Sequence, residues 1–456
     1  MKLLLIQPST SPNTQKVFIP VGLAYLGSTL EQVGHKVKII YTFNSKKGIT
    51  EFKKELKNYD PDVVGISSTT IDIHICLQLL DLVKVHNPNC LTILGGAHPT
   101  VCAKEILDLD SNVDVIVRGE GEITLTELLD KKTKEDFGSV NGITFKLNGK
   151  IIENPDRENI EDLDNLPFPA YHLLPMGKYK NWRKLFNIFP FGKTGSSYAS
   201  IISSRGCPFA CIFCSSCRMW GKKWRVRSPE NVIEELKLLR YKYNKKYIYF
   251  IDDTSTINKN RMLKICNLII KEGIDIAWEC STRVDLFDKN LANALKKSGC
   301  VNIYLGLESG VQETLDFISK GIKIEDSIRA VKIAKEAGLT VESNFIIGIP
   351  GETREKINQT IYFAKKLDIE YPSFTILTPY PGTELYEYAE RNNLLLTKDW
   401  SKYNLTASVM KVPGMTAKEL KRLHLKANLI CNFSPSKIFK SLSRELSLKQ
   451  IDKKIT

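Results

Sequence analysis

Apolar residues over the first 135 positions come in short β-rich runs, KLLLIQ, HKVKII, DVVGIS, LTILGG and VDVIVRG, separated by stretches with helical spacing. That alternation predicts a parallel, doubly wound sheet. Small residues follow the runs: Ser67, Ser68, Thr69 and Thr70 after the third, Gly95 and Gly96 after the fourth, Gly119 and Gly121 after the fifth. Open α/β sheets bind ligands at these carboxyl ends, so the first domain reads as one built to hold something.

Between 140 and 198 the alternation stops. NGITFKLNGKIIEN reads as a hairpin turning at Asn148-Gly149, and DNLPFPAYHLLP as a proline-punctuated linker. The pattern resumes with strands expected near Ala199, Lys246, Asp275, Asn302, Thr340 and Pro372, the first five each followed by a helical stretch such as SPENVIEELKLLRYKY. Six such units predict a β/α barrel, complete or partial. After Trp400 the chain shows helical spacing in TAKELKRLHLKANLI and then a polar tail. The expected fold is α/β: a Rossmann-like domain over 1–138, a hairpin and linker over 139–198, a partial (β/α)6 barrel over 199–400 and a basic helical region over 401–456.

Composition agrees with that division. The 456 residues, 43% hydrophobic, give each of three units a core at roughly 150 residues per domain. No apolar run reaches the length of a membrane span, and MKLLLIQP breaks at Pro8 too early for a signal peptide, so a cytoplasmic protein is expected. Lys and Arg outnumber Asp and Glu by 65 to 51, a charge of +14 that invites a polyanionic partner. The last 56 residues, however, hold twelve basic and three acidic side chains, which places +9 there and leaves +5 for the first 400. Nucleic acid is therefore not the expected partner. The basic region reads as a solvated helix face or as a holder of an anionic substrate, carrier or membrane surface.

Eleven cysteines, an odd number in a reducing compartment, do not suit a disulfide framework. Seven are scattered as small hydrophobes. Cys207, Cys211 and Cys214 are spaced C-x3-C-x2-C in SSRGCPFACIFC, directly after the first barrel strand. Three thiolates on one loop can hold an iron–sulfur cube and leave one iron open for a substrate or cofactor. Structural zinc wants four ligands from two knuckles, and no second C-x2-C pair follows at the usual distance. Cys217 continues the spacing, as a fourth ligand that would close the site or as an accessory thiol.

This loop, in this setting, resembles the radical S-adenosylmethionine enzymes, specifically the cobalamin-binding group that includes the anaerobic magnesium-protoporphyrin monomethyl ester cyclase type and several C-methyltransferases. The resemblance spans roughly residues 1–400. It implies that Cys207, Cys211 and Cys214 bind a 4Fe-4S cluster whose free iron chelates S-adenosylmethionine, and that reductive cleavage, fed by an external flavodoxin- or ferredoxin-type donor, yields a 5′-deoxyadenosyl radical. Phe213 then falls at the adenine. Asp252 and Asp253 stand where other members carry a Gly-Gly-Glu motif for the methionine ammonium, an N-cap being the other use of either acid. Arg283 is expected at the methionine carboxylate, Glu308 and Ser309 at the ribose, and Gly348 at a turn close to the ligand.

The same resemblance makes the first domain the cobalamin domain, with Ser67, Ser68, Thr69, Thr70, Gly95, Gly96, His98 and Glu120 as corrin contacts. The Asp-x-His-x-x-Gly motif that supplies a histidine to cobalt elsewhere is missing, because its expected position reads QPSTSPNTQ. Methylation of an unactivated carbon of a small molecule gives both cofactors a role and is the expected activity. The alternatives, in order, are a cyclase or oxidase of the porphyrin type, a tRNA methylthiotransferase and a non-catalytic corrinoid sensor. No catalytic residue is assigned from sequence.

Overall fold

The computed structural model describes residues 1–9, 19–43, 45–109, 112–179 and 197–433. Five parallel strands, β1 (Lys2–Ser9), β2 (Lys36–Phe43), β3 (Val63–Ser67), β4 (Leu91–Gly95) and β5 (Val115–Val117), lie in the order β2-β1-β3-β4-β5. Their sequences are nearly continuous apolar runs because both faces are covered: Leu3 and Leu5 pack into one core, Leu4 and Ile6 into the other. The winding reverses between β1 and β3, so the crevice for a ligand opens at their carboxyl ends.

The hairpin β6 (Ile143–Leu147) and β7 (Lys150–Glu153) turns at Asn148 and Gly149, both with positive φ, as a tight right-twisted hairpin requires. It does not stand in the linker where the sequence put it. β6 pairs antiparallel with β5 and extends the first sheet to seven strands, because β5 would otherwise leave an open edge and Ile143 and Phe145 have a core to enter.

The barrel is an open arc of six parallel strands in chain order: β8 (Tyr198–Ile201), β11 (Tyr247–Phe250), β12 (Ala277–Thr282), β13 (Cys300–Glu308), β14 (Thr340–Ile347) and β15 (Tyr371–Ile376). Between β8 and β11 the chain adds a small antiparallel pair that the apolar pattern did not reveal, β9 (Ser204–Arg205) and β10 (Arg225–Val226). Outer helices start where capping chemistry is written in the sequence: Ser228, Asn258, Asp288, Thr353 and Thr383 each accept from the backbone N–H three residues on. Neither Asp252 nor Asp253 is used as a cap.

The helix Ala417–Asn432 is not an appendage. It covers the open edge of β15, where Asn428 Oδ1 accepts from Phe374 N at 3.1 Å, His424 Nε2 meets Phe374 O at 2.8 Å and Asn432 donates to Pro372 O at 2.9 Å. Side chains thus satisfy backbone groups that an edge strand leaves unpaired. The polar tail from 434 onward, most of QPSTSPNTQ and part of the linker lie outside the described residues. Among the described residues, no helix is long and apolar enough to cross a membrane.

Candidate active site between two sheets

The cysteine loop leaves β8 through β9. Gly206 carries a φ of +89°, and a Cβ there would run into the carbonyl of Lys223, so the chain turns into the loop only with glycine. Cys207 N donates to Gly221 O at 3.4 Å, Cys214 N to Cys211 O at 3.1 Å and Ile212 N to Ile318 O at 3.2 Å. The loop is held on three sides while its thiols stay half-buried. Phe213 packs, half-buried, against the barrel core. Beside the loop lies a cavity of about 180 Å³ whose wall includes Phe209, Cys211, Cys214, Cys217 and Arg218.

Burial pushes the Cys214 thiol up to about 11 and raises Cys207 as well, and a metal bound to these thiols would displace their protons. Among the described residues no three His, Cys, Asp or Glu side chains close on a point to hold a single metal ion. Zinc would need four such donors, whereas a cluster with several irons takes thiolates spread along one loop. The surroundings suit an anionic cluster: Arg283 Nη1 is 4.0 Å from Cys211 Sγ, and the buried Lys320 feels the charge of Cys211 and Glu308.

Several residues expected at S-adenosylmethionine are already engaged. Asp252 accepts from Ser203 N (2.6 Å), Ser203 Oγ (2.6 Å) and Ser204 N (3.0 Å), so it anchors the entry to the cysteine loop. Arg283 lies 3.7 Å over the Phe209 ring, bridges Asp285 at 3.0 and 3.1 Å and donates to Lys320 O at 2.8 Å; it braces the loop, with one Nη1 hydrogen uncommitted. Glu308, at a φ of +62°, pairs with Lys320 at 2.7 Å. Ser309 is buried, with Thr360 Oγ1 at 3.1 Å and Val311 N donating to it at 3.2 Å. Gly348 packs under Leu420 of the C-terminal helix and donates to Glu352. Asp253 differs from its neighbour: it is exposed beside the loop and, among the described residues, its side chain accepts only from Ser216 Oγ, at 2.5 Å.

At the first sheet, the ends of β3 and β4 approach closely. Gly96 has a φ of +98°, and a Cβ on it would sit 2.7 Å from Ser68 O and 3.0 Å from Ser67 Oγ. Ser68 N donates to Gly95 O at 2.8 Å, and Thr69 is exposed while Thr70 is buried. Gly119, at a φ of +68°, has nothing within 4 Å of where its Cβ would be, an open cradle at the end of β5. His98 is buried, and its Nδ1 has no partner among the described residues. Burial lowers its pKa to about 4, so the ring is neutral, and Trp400 lies edge-on at 5.3 Å. Crevice, glycine cradle and an uncommitted imidazole nitrogen fit a large ligand with many amide groups.

Glu120 does not belong to that cradle. It is buried and accepts from Arg205 Nη1 at 2.6 Å and Arg225 Nη1 at 2.7 Å, while Arg205 Nη2 reaches Glu122 at 2.6 Å. Arg205 is flanked by the rings of Tyr25 and Trp220, at 5.3 and 5.1 Å. This cluster of four buried charges joins the carboxyl end of β5 to the strand leading into Cys207. Sequence reasoning missed it, although Arg225 and Arg227, two apart in WRVR, carry the signal of one charged strand face turned to a partner.

Two sheets that present their carboxyl ends to one another, one with a ligand cradle and one with a three-thiol loop, define a two-cofactor enzyme of the α/β class. Comparisons with known proteins agree. Residues 13–129 match the B12 binding domain and residues 201–364 the radical SAM superfamily. An uncharacterized methyltransferase of Pyrococcus horikoshii, PH0819, is 42% identical over 97% of this chain and 95% of that protein. The anaerobic magnesium-protoporphyrin IX monomethyl ester cyclase of Rubrivivax gelatinosus is 29% identical over 92% of this chain and 75% of its own length. The solved cobalamin-dependent S-adenosylmethionine radical enzyme OxsB, with aqua-cobalamin and S-adenosylmethionine bound, superposes with a TM-score of 0.77 at 18% identity, covering 99% of this chain and 71% of that one. The chain belongs to the radical SAM enzymes that carry a B12-binding domain, the family of cobalamin-dependent radical SAM methyltransferases. A 4Fe-4S cluster, S-adenosylmethionine and cobalamin are its cofactors.

Proposed function

We propose that the chain methylates an unactivated carbon of a small organic substrate. The observation that carries this reading is the ion cluster of Glu120, Glu122, Arg205 and Arg225, which ties the two cofactor-bearing sheet edges together so that a substrate between them meets both. When bound, the cluster and S-adenosylmethionine supply one-electron chemistry at carbon, and cobalamin supplies a transferable methyl group. Cys207, Cys211 and Cys214 hold the cluster; Cys217, on the short helix Ser216–Trp220, is an accessory thiol. Asp253, which accepts from Ser216 through Oδ1, takes the methionine ammonium on its other oxygen, and Arg283 Nη1, 4.0 Å from Cys211 Sγ, lies on the cluster side. Ser67, Ser68, Gly95, Gly96 and Gly119 line the corrin crevice, with His98 Nδ1 serving a corrin amide. Electrons come from an external flavodoxin- or ferredoxin-type donor, in the cytoplasm.

The test is anaerobic reconstitution with iron, sulfide and cobalamin, followed by assay for 5′-deoxyadenosine and S-adenosylhomocysteine. Both products are expected, and neither product would overturn the reading. A second reading, cyclisation or oxidation, is favoured by the similarity to the Rubrivivax cyclase over nearly the whole chain. S-adenosylmethionine with a deuterated methyl group separates them, since label in the product means methyl transfer.

A further inference from the structure

The helix Ala417–Asn432 has two faces of opposite character. Leu420, His424, Ala427 and Cys431 are buried against β15 and the helix Arg354–Leu367. The other side is exposed throughout: Lys418, Lys421, Arg422 and Lys426 give way to Leu425, Leu429, Ile430 and, just past the helix, Phe433. Leu425, Leu429 and Phe433 follow one another at intervals of four, a single stripe, and stand 53%, 56% and 53% exposed. The neighbouring helix, which Cys431 touches at Ile361 O, adds exposed Tyr362, Lys365 and Lys366. Single exposed apolar residues are ordinary, but a stripe set among charges of one sign marks a surface for something both apolar and negative.

We propose that this face docks on an anionic lipid bilayer, the helix lying in the headgroup plane with the leucine stripe inserted and the Lys and Arg side chains against the lipid charges. Glu419, the one acid on the helix, is paired with Arg354 and does not offset the basic face. The rival occupants fail on charge. A second copy would bring the same positive face against itself, and residues 434–456, with six basic and two acidic side chains, would meet like charge as well. The proposal does not rest on the methyl-transfer reading.

The test is co-sedimentation of the full chain with vesicles of phosphatidylcholine alone or with added phosphatidylglycerol, at low and high salt. Binding is expected to require phosphatidylglycerol and to weaken as salt rises. The double variants Leu425→Gln/Leu429→Gln and Lys421→Glu/Arg422→Glu should each bind about 10-fold more weakly or worse, with melting temperature and iron content unchanged, since all four side chains are exposed. The idea is overturned by no binding to either vesicle, by equal binding to both, by binding that both variants retain, or by a lipid-free dimer that the leucine variant dissolves.

Discussion

Glu352 and Gly206 show how tightly single positions are constrained near the site. Glu352 accepts from Gly348 N at 2.7 Å and Ile349 N at 3.1 Å through Oε2, while its buried Oε1 has no partner among the described residues. Burial raises its pKa from the ordinary 4.5 to about 7. Because the folded value lies above the unfolded one, the stabilisation is fully present below about pH 4.5 and is lost as pH rises through about 7. Glutamine copies the protonated acid, so Glu352→Gln should match the wild type in urea unfolding at pH 5 and exceed it at pH 8 by up to about 3 kcal/mol. A flat wild-type profile would contradict this. Gly206→Ala faces a steric clash with the Lys223 carbonyl and a left-handed φ, so a loss of about 1–3 kcal/mol is expected, with less iron retained after reconstitution.

The strands and helices were legible where local chemistry decides them. Apolar runs located β1 to β8 and the five later barrel strands, and the helical spacing after the first five barrel strands foretold outer helices. β9 and β10 were invisible because they are two residues long and carry arginines whose acidic partners lie 83 to 105 positions away in sequence. At this scale the buried charges make a sharp prediction. Glu120→Gln leaves Arg205 and Arg225 short of their counter-charge in a water-poor interface, and the unfolding free energy should fall by about 3–5 kcal/mol, read from the urea midpoint. Arg205→Lys keeps the charge but loses the fork that spans Glu120 and Glu122, and should show a smaller loss.

For the whole molecule, the two cofactor sites lie on different sheets and should load separately. Alanine at Cys207, Cys211 or Cys214 should abolish bound iron, by metal analysis, and leave cobalamin binding intact by absorbance; Cys217→Ala should keep both. By itself the sequence determined the α/β class, the division into a doubly wound sheet and a six-unit β/α barrel, and the three-thiol loop, because hydrophobic periodicity and cysteine spacing are properties of neighbouring positions. Only the tertiary structure decided that Asp252 anchors the loop entry through three hydrogen bonds while Asp253 accepts one from Ser216, that Arg283 braces a loop, that Glu120 joins two domains and that the C-terminal helix seals β15. A side chain's role at such places depends on which distant backbone groups and charges already occupy its hydrogen bonds, and those partners meet only when the chain has folded.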